Sequence, residues 1–427
     1  MKLYIIFTAD IHPIGGMQLY TAGKAGYLEK HGWKVVIFST GVAGGTCAVS
    51  SLNPYVKGGN MIFEYQPAQL PERFCDSVCR MMLSLLPASD LQKDTVYIET
   101  HSEVLALWGE LLAGRLGARH ICFNCNEIFR GKGKHYVENM EYLKFKYHRK
   151  ELLGLHTDTL KKIFDGYMEV PCDSTFLFDA VEPDPVQDVE SDFVAHLTRL
   201  DWNIVYIGRA NKGYVGNIID GVAAFARKHP DKKIQFVMVG DAGCRQRQIR
   251  EKLLKIQNLK TTLPGDLVPI PRKLYEKTDV VIAGAVCAEI SAREHVPTIV
   301  ADCENHLACG VLGHTTMNSM YHEENSTQTD FCEALEDTLV RKTYLKYAYA
   351  FPDAIPPDHI FESHFAFFAG ASGKKAYYNV KKNPYVSRLT FKKVVPAYIK
   401  FRNPGLFFRL YEIKKRLTYG SKRAGGL

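Results

Sequence analysis

Two cations, Arg209 and Lys212, stand three residues apart in Ile207-Gly208-Arg209-Ala210-Asn211-Lys212-Gly213, just past an apolar run that reads as a strand. A guanidinium brings a rigid fork of donors and an ammonium a mobile point charge, a combination suited to a diphosphate. A second stretch, from Ala283 to Thr298, leads from Gly284 and Ala285 into a helical pattern. Glu289 falls in its first turn and Glu294 five residues later. Backbone N–H groups at such a helix start can face a phosphate, and Glu289 can accept hydrogen bonds from ribose hydroxyls. A third stretch, His12 to Met17, contains Gly15-Gly16, where the backbone can approach a ligand closely. Taken singly, each segment also has a plain structural explanation: a solvated basic loop, a carboxylate capping a helix, and a tight turn.

The elements that must position these residues alternate. Leu3 to Thr8 reads as a strand, Met17 to His31 as a helix and Trp33 to Ser39 as a strand, followed by an apolar run 94–100, a helix 104–116 and a strand 119–125. That is a parallel, Rossmann-like sheet. Residues 179–200 are acidic and carry Pro183 and Pro185, the composition of a linker. A second alternating series runs from a strand at 203–207 to a strand at 298–301. The expected organisation is α/β, with two doubly wound domains at 1–180 and 201–345, a linker at 181–200, and a return segment with a basic tail at 346–427. All three candidate segments fall where a strand ends and a helix begins, the edge at which open α/β sheets bind ligands.

The ordered series of motifs resembles glycosyltransferase family 4 and its GT-B relatives, over about residues 1–345. The family's Gly-Gly loop, helix and "Leu-x-x-x-Gly-His-x-Val" are met by Gly15-Gly16 and by Leu28 through Gly32 to Val35. Its donor strand "Val-Gly-Arg-x-x-x-x-Lys-Gly" is met by Ile207-Gly208-Arg209 and, two residues early, by Lys212-Gly213. Its "Val-Gly-x-Gly" is similar to Val239-Gly240-Asp241-Ala242-Gly243. The resemblance implies two domains facing across a cleft, with Arg209 and Lys212 neutralising the leaving diphosphate. Gly15, Gly16, Gly240, Ala285, Glu289 and Glu294 would be further donor-binding positions. His101, at the strand end Ile98-Glu99-Thr100-His101, matches a histidine that the family often sets against the donor sugar, although a helix-capping histidine fits there too. Glu127 is an acceptor-side candidate.

The family's two glutamates, seven residues apart, are not both present, and Glu289 to Pro297 is one residue longer than the family's interval. The expected activity is transfer of a hexose-type sugar, with retention, from a nucleotide diphosphate to a lipid-linked or polysaccharide acceptor in surface glycan synthesis of the capsule, exopolysaccharide or lipopolysaccharide type. The alternatives are a nucleotide-sugar epimerase on the same scaffold and a non-catalytic paralogue acting in assembly. No Asp-x-Asp follows an apolar strand, so neither a metal nor another cofactor is expected.

Composition bounds the rest. A chain of 427 residues with 46% hydrophobic and 23% charged residues folds into more than one core. Eleven cysteines without repeated spacing, behind an N-terminal apolar run too short for a signal peptide, suit free thiols in the cytoplasm. Cys122 and Cys125 lie three apart on a strand, point to opposite faces, and so do not read as a zinc pair. From Lys374 onward there are fifteen Lys and Arg and one acid, Glu412, so the body of the chain is net acidic against a total of +8. Aromatic residues interleave with these cations. Lys392, Lys393, Arg402, Phe407, Phe408, Lys414, Lys415 and Arg416 are therefore read as a peripheral anchor to an anionic membrane, at the inner face of the cell membrane. A helix packing on the acidic body is the rival reading, and no nucleic-acid motif is present.

Overall fold

The computed structural model describes residues 2–11, 14–41, 47–87, 95–125, 134–155, 157–171, 185–324, 327–370, 376–403, 405–407, 409–410 and 413. The chain divides into two compact units, one made of Met1–Val181 with Pro357–Leu427 and the other of Glu182–Pro356.

The first unit is built on a six-stranded sheet. Its strands are β1 (Lys2–Thr8), β2 (Lys34–Ser39), β3 (Val56–Gly59), β4 (Thr95–Thr100), β5 (Arg119–Asn124) and β6 (Leu152–Gly154). They lie in the order β3-β2-β1-β4-β5-β6, and every pairing is parallel. A parallel sheet is covered on both faces, so its strands read as apolar runs without polar alternation. Strand β1 shows how: Tyr4 and Ile6 enter the core on one face, and Leu3, Ile5 and Phe7 enter the core on the other. The covering helices are α1 (Gly16–Lys30), α2 (Glu72–Ser84), α3 (Glu103–Leu116), α4 (Lys134–Glu138), α5 (Met140–His148) and α6 (Thr157–Phe164). Ser102 caps α3 through a bond from Leu105 N, and Gly117 ends it in the left-handed region at φ 63°.

The second unit repeats the plan. Before its main sheet come β7 (Val186–Gln187) and α7 (Asp192–Ala195), so part of the acidic stretch is ordered. Then follow β8 (Trp202–Ile207), α8 (Val215–Lys228), β9 (Ile234–Val239), α9 (Gln246–Lys252), β10 (Leu259–Gly265), β11 (Ile270–Pro271), α10 (Arg272–Glu276), β12 (Val280–Ala283), α11 (Val286–Arg293), β13 (Thr298–Ala301), β14 (Ala308–Val311) and α12 (Phe331–Leu335). The main sheet runs β10-β9-β8-β12-β13-β14, parallel except for the edge strand β14. Strand β11 pairs with β7.

The chain then returns to the first unit with α13 (Pro357–Gly370) and α14 (Phe391–Arg402). Helix α14 runs through Pro396, where the sequence predicts a break; packing of Ala397 and Phe401 into the core offsets the one helical bond that the proline cannot make.

In both sheets the strand order reverses beside the first strand, between β1 and β4 and again between β8 and β12. At such a switch point the loops leaving the carboxyl ends diverge and open a crevice.

Candidate functional site

In the second unit the loop after β8 carries Arg209 and Lys212 at the switch point. Gly208 leaves the strand at φ 149° and Gly240 leaves β9 at φ 119°. The two strand ends are so close that a Cβ on Gly240 would lie 2.2 Å from Gly208 O. That contact excludes every side chain, so Gly240 acts through close backbone packing.

The 208–214 loop is held on all sides. Tyr206 Oη donates to Arg209 O at 3.0 Å, while Arg245 donates through Nε to Ala210 O at 3.0 Å and through Nη2 to Lys212 O at 3.1 Å. Ala210 and Tyr214 are buried beneath it. With its carbonyls engaged, the loop turns its cationic side chains outward: Arg209 is exposed and makes no ion pair among the described residues, and Lys212 is half-buried. Sequence reasoning missed Arg245, whose signal is a basic residue directly after the Gly240–Gly243 loop.

His306 was missed as well, because nothing in its own neighbourhood marks it. Its imidazole lies over Gly213, where an added Cβ would come within 2.3 Å of Nε2. Asp302 sets up the turn that brings it there by accepting from Glu304 N and Asn305 N, and Asn217 donates to His306 O at 2.9 Å.

The other side of this switch point is the start of α11. Ala285 sits at φ 55° with its N–H given to Ser319 O at 2.7 Å, so that donor is not available to a ligand. Glu289 is buried in the first turn; its Oε1 accepts from Ser319 Oγ at 2.7 Å, and Arg293 stands 3.8 Å from Oε2. Tyr214 joins the two loops, its Oη only 3.1 Å from where a Cβ on Gly284 would be. Glu294 belongs elsewhere. It ends α11 at the opposite pole and pairs with Arg272, so the edge that gathers Arg209, Lys212 and Glu289 leaves it out.

In the first unit the switch point lies between the loop after β1 and the end of β4. Gly15 caps α1 without a side-chain bond, and a Cβ there would lie 2.8 Å from Gln18 Oε1; Gly16 is the exposed first residue of the helix. His101 closes β4 with its backbone N–H on Phe7 O at 3.0 Å. Its Nε2 lies 2.9 Å from Oε1 of Glu99.

Glu99 is the centre of a buried polar cluster. It accepts from Tyr4 at 2.5 Å and Tyr20 at 2.8 Å and pairs with Lys24 at 3.1 Å. Lys24 in turn meets His364 Nδ1 at 2.7 Å, which ties the returning helix α13 to the sheet. Burial alone would raise the Glu99 carboxyl, but Lys24 and His101 outweigh it and hold it well below the usual carboxylate range. An ionised Glu99 accepts from His101 Nε2–H, which turns Nδ1 to the other side of the ring. That atom has no hydrogen-bond partner among the described residues. Glu127 lies outside the described residues.

No protein-family model matches the chain, and no curated protein matches it in sequence. Solved structures do match its fold. A trehalose-6-phosphate synthase, OtsA, aligns with TM-score 0.54 at 12% identity over 86% of this chain and 99% of its own. HepE from Anabaena, in complex with UDP and glucose, aligns with TM-score 0.51 at 10% identity over 87% and 95%. A UDP-N-acetylglucosamine 2-epimerase aligns with TM-score 0.51 at 12% identity over 89% and 99%. The fold is GT-B. At these identities the likeness extends to the fold, and family 4 membership stays an expectation of the motifs.

The tail residues divide. Lys392, Lys393 and Arg402 are exposed on α14, and Phe407 is half-buried beneath the Lys400 ammonium, 4.9 Å from its ring centre. Phe408, Lys414, Lys415 and Arg416 lie outside the described residues. No helix among the described residues is long and apolar enough to cross a membrane.

Proposed function

We propose that this protein is a cytoplasmic enzyme acting on a nucleoside diphosphate sugar, whose diphosphate is held by the second unit. The observation that carries this is the loop after β8: its carbonyls are tied down by Tyr206 and Arg245 while Arg209 stands exposed, at a switch point completed by Glu289 in the first turn of α11. Arg209 and Lys212 neutralise the diphosphate and Glu289 accepts from the ribose.

Of the two reactions open to such a site, epimerisation has more support. A UDP-N-acetylglucosamine 2-epimerase is among the similar structures, and the departure from the family's glutamate pair weakens the transferase motif. In epimerisation one ring C–H bond breaks and re-forms on the opposite face, with no net gain or loss of atoms and no acceptor. Transfer to a lipid-linked or glycan acceptor is the second reading, favoured by the Gly-Arg and Val-Gly motif series.

A panel of UDP sugars separates them. Conversion of the donor in the absence of acceptor, with solvent deuterium entering the sugar, supports epimerisation. Turnover only when an acceptor is added supports transfer. Absence of both turnover and nucleotide binding refutes the proposal.

A further inference from the structure

The basic tail is not consumed by the nucleotide site, and its geometry separates two faces. Helix α14 docks on the first unit through Ala397 and Phe401, which are buried against α2 and its surroundings: Phe74 meets the Phe401 ring at 5.4 Å, and Asn60 donates to Phe401 O at 3.1 Å. Two tail cations serve this docking, Lys400 near Glu64 at 3.5 Å and Lys381 with Asp76 at 3.0 Å.

The adjoining face is mostly open, with Tyr398 resting an edge on Phe74 at 5.5 Å. Phe391, Val395, Tyr398 and Arg402 follow at spacings of four, three and four, which is one stripe of a helix, and the first three are 81%, 41% and 48% exposed. Lys392 flanks this stripe and Lys393 lies further round the helix; neither they nor Arg402 pair with a carboxylate among the described residues. Beyond α14, Asn403 accepts from Leu406 N at 3.0 Å. Leu406, Leu410 and Ile413 follow at sequence spacings of four and three as a second stripe, 44%, 47% and 54% exposed.

We propose that these two stripes form a docking surface for an anionic lipid bilayer, lying in the plane of the headgroups. Apolar side chains that protrude beside unpaired cations complement a surface that offers both hydrocarbon and negative charge. From Lys374 onward a single acid opposes fifteen basic residues, which gives the occupant its sign. A nucleic acid would engage the cations and leave Leu406, Leu410 and Ile413 in water, and a second copy would bring the same positive charge against itself. The surface stands independently of the nucleotide-sugar reading.

Co-sedimentation of the full chain with vesicles tests it. Vesicles of phosphatidylcholine with roughly one-third phosphatidylglycerol should retain the protein, at least about tenfold more strongly than phosphatidylcholine alone, and added salt should release it. The triple variant Lys392→Glu, Lys393→Glu, Arg402→Glu should lose that binding, and Phe391→Ser with Leu410→Ser should weaken it. All five positions are exposed, so the melting temperature should stay that of the parent. Equal partition onto neutral and anionic vesicles would overturn the proposal. So would retention of the triple variant, self-association abolished by Phe391→Ser without vesicle binding, or binding to oligonucleotides in place of vesicles.

Discussion

Arg209 owes its exposed position to a loop whose carbonyls are fixed from below, so its removal should act on ligand binding and leave the fold intact. A charge-assisted hydrogen bond to phosphate contributes about 1.5–3 kcal/mol, which predicts UDP binding weaker by roughly 10- to 100-fold in Arg209→Ala, measured by calorimetry with an unchanged melting temperature. Gly240 is the converse. Its φ of 119° and the 2.2 Å approach to Gly208 O leave no room for a methyl group, so Gly240→Ala should destabilise the second unit by about 1–3 kcal/mol or more and lower the melting temperature. At this scale residue type and strand-end position directed the sequence reading to Arg209 and Lys212, and the family resemblance directed it to His101; the structure sets all three directly after strands β8 and β4. The sequence could not show Arg245 or His306, which reach the 208–214 loop from other loops, nor the engagement of Glu294 with Arg272 at the far end of α11.

Among the elements, the returning segment and the α3–β5–α5 region are tied together by a second buried cluster. Lys146 on α5 reaches Glu110 at 3.0 Å and Glu151 at 2.6 Å, and Glu110 also meets His120 Nδ1 at 2.7 Å and accepts from Tyr378 N at 2.9 Å. Burial opposes ionisation of Glu110, yet Lys146 and His120 bring its carboxyl down to about 2; burial and Lys146 bring the His120 imidazole down to about 4. Both folded-state values lie below those of the unfolded chain. The stability they contribute is therefore complete above about pH 6.5 and is lost as pH falls, first through His120 towards pH 4 and then through Glu110 towards pH 2. Urea denaturation followed by the fluorescence of buried Trp108 should show this loss. Lys146→Met, which leaves buried Glu110 without its ammonium while Glu151 keeps Arg149 at 2.8 Å, should cost roughly 3–5 kcal/mol at neutral pH in the same assay.

Elements with strong apolar periodicity were legible: the sequence placed the strands that became β1, β2, β4, β8, β9 and β12 within a residue or two. Helix α2 and strand β3 were not foreseen, since Cys75, Val78, Cys79 and Met82 are spaced for one face but sit among charged neighbours, and β3 is only Val-Lys-Gly-Gly. The sequence pattern places the start of α11 at Ala288, two residues late, because Val286 and Cys287 follow Ala285 at φ 55°, a backbone state that no side chain there advertises.

At the scale of the whole molecule, one chain builds two sheets with matching strand orders, parallel but for the edge strand β14, and then sends its last segment back to the first unit. The sequence led us to expect a return segment at 346–427 but not its contacts, because Lys24 and His364 lie far apart in the chain and only the fold joins them. The central claim is that the second unit holds a nucleoside diphosphate sugar through the loop after β8. Isothermal titration of UDP into the parent protein and into Arg209→Ala tests it most directly. The account predicts saturable binding by the parent and at least about tenfold weaker binding by the variant, with both proteins equally stable. Equal affinity for UDP in the two proteins, or no binding by the parent, would contradict it.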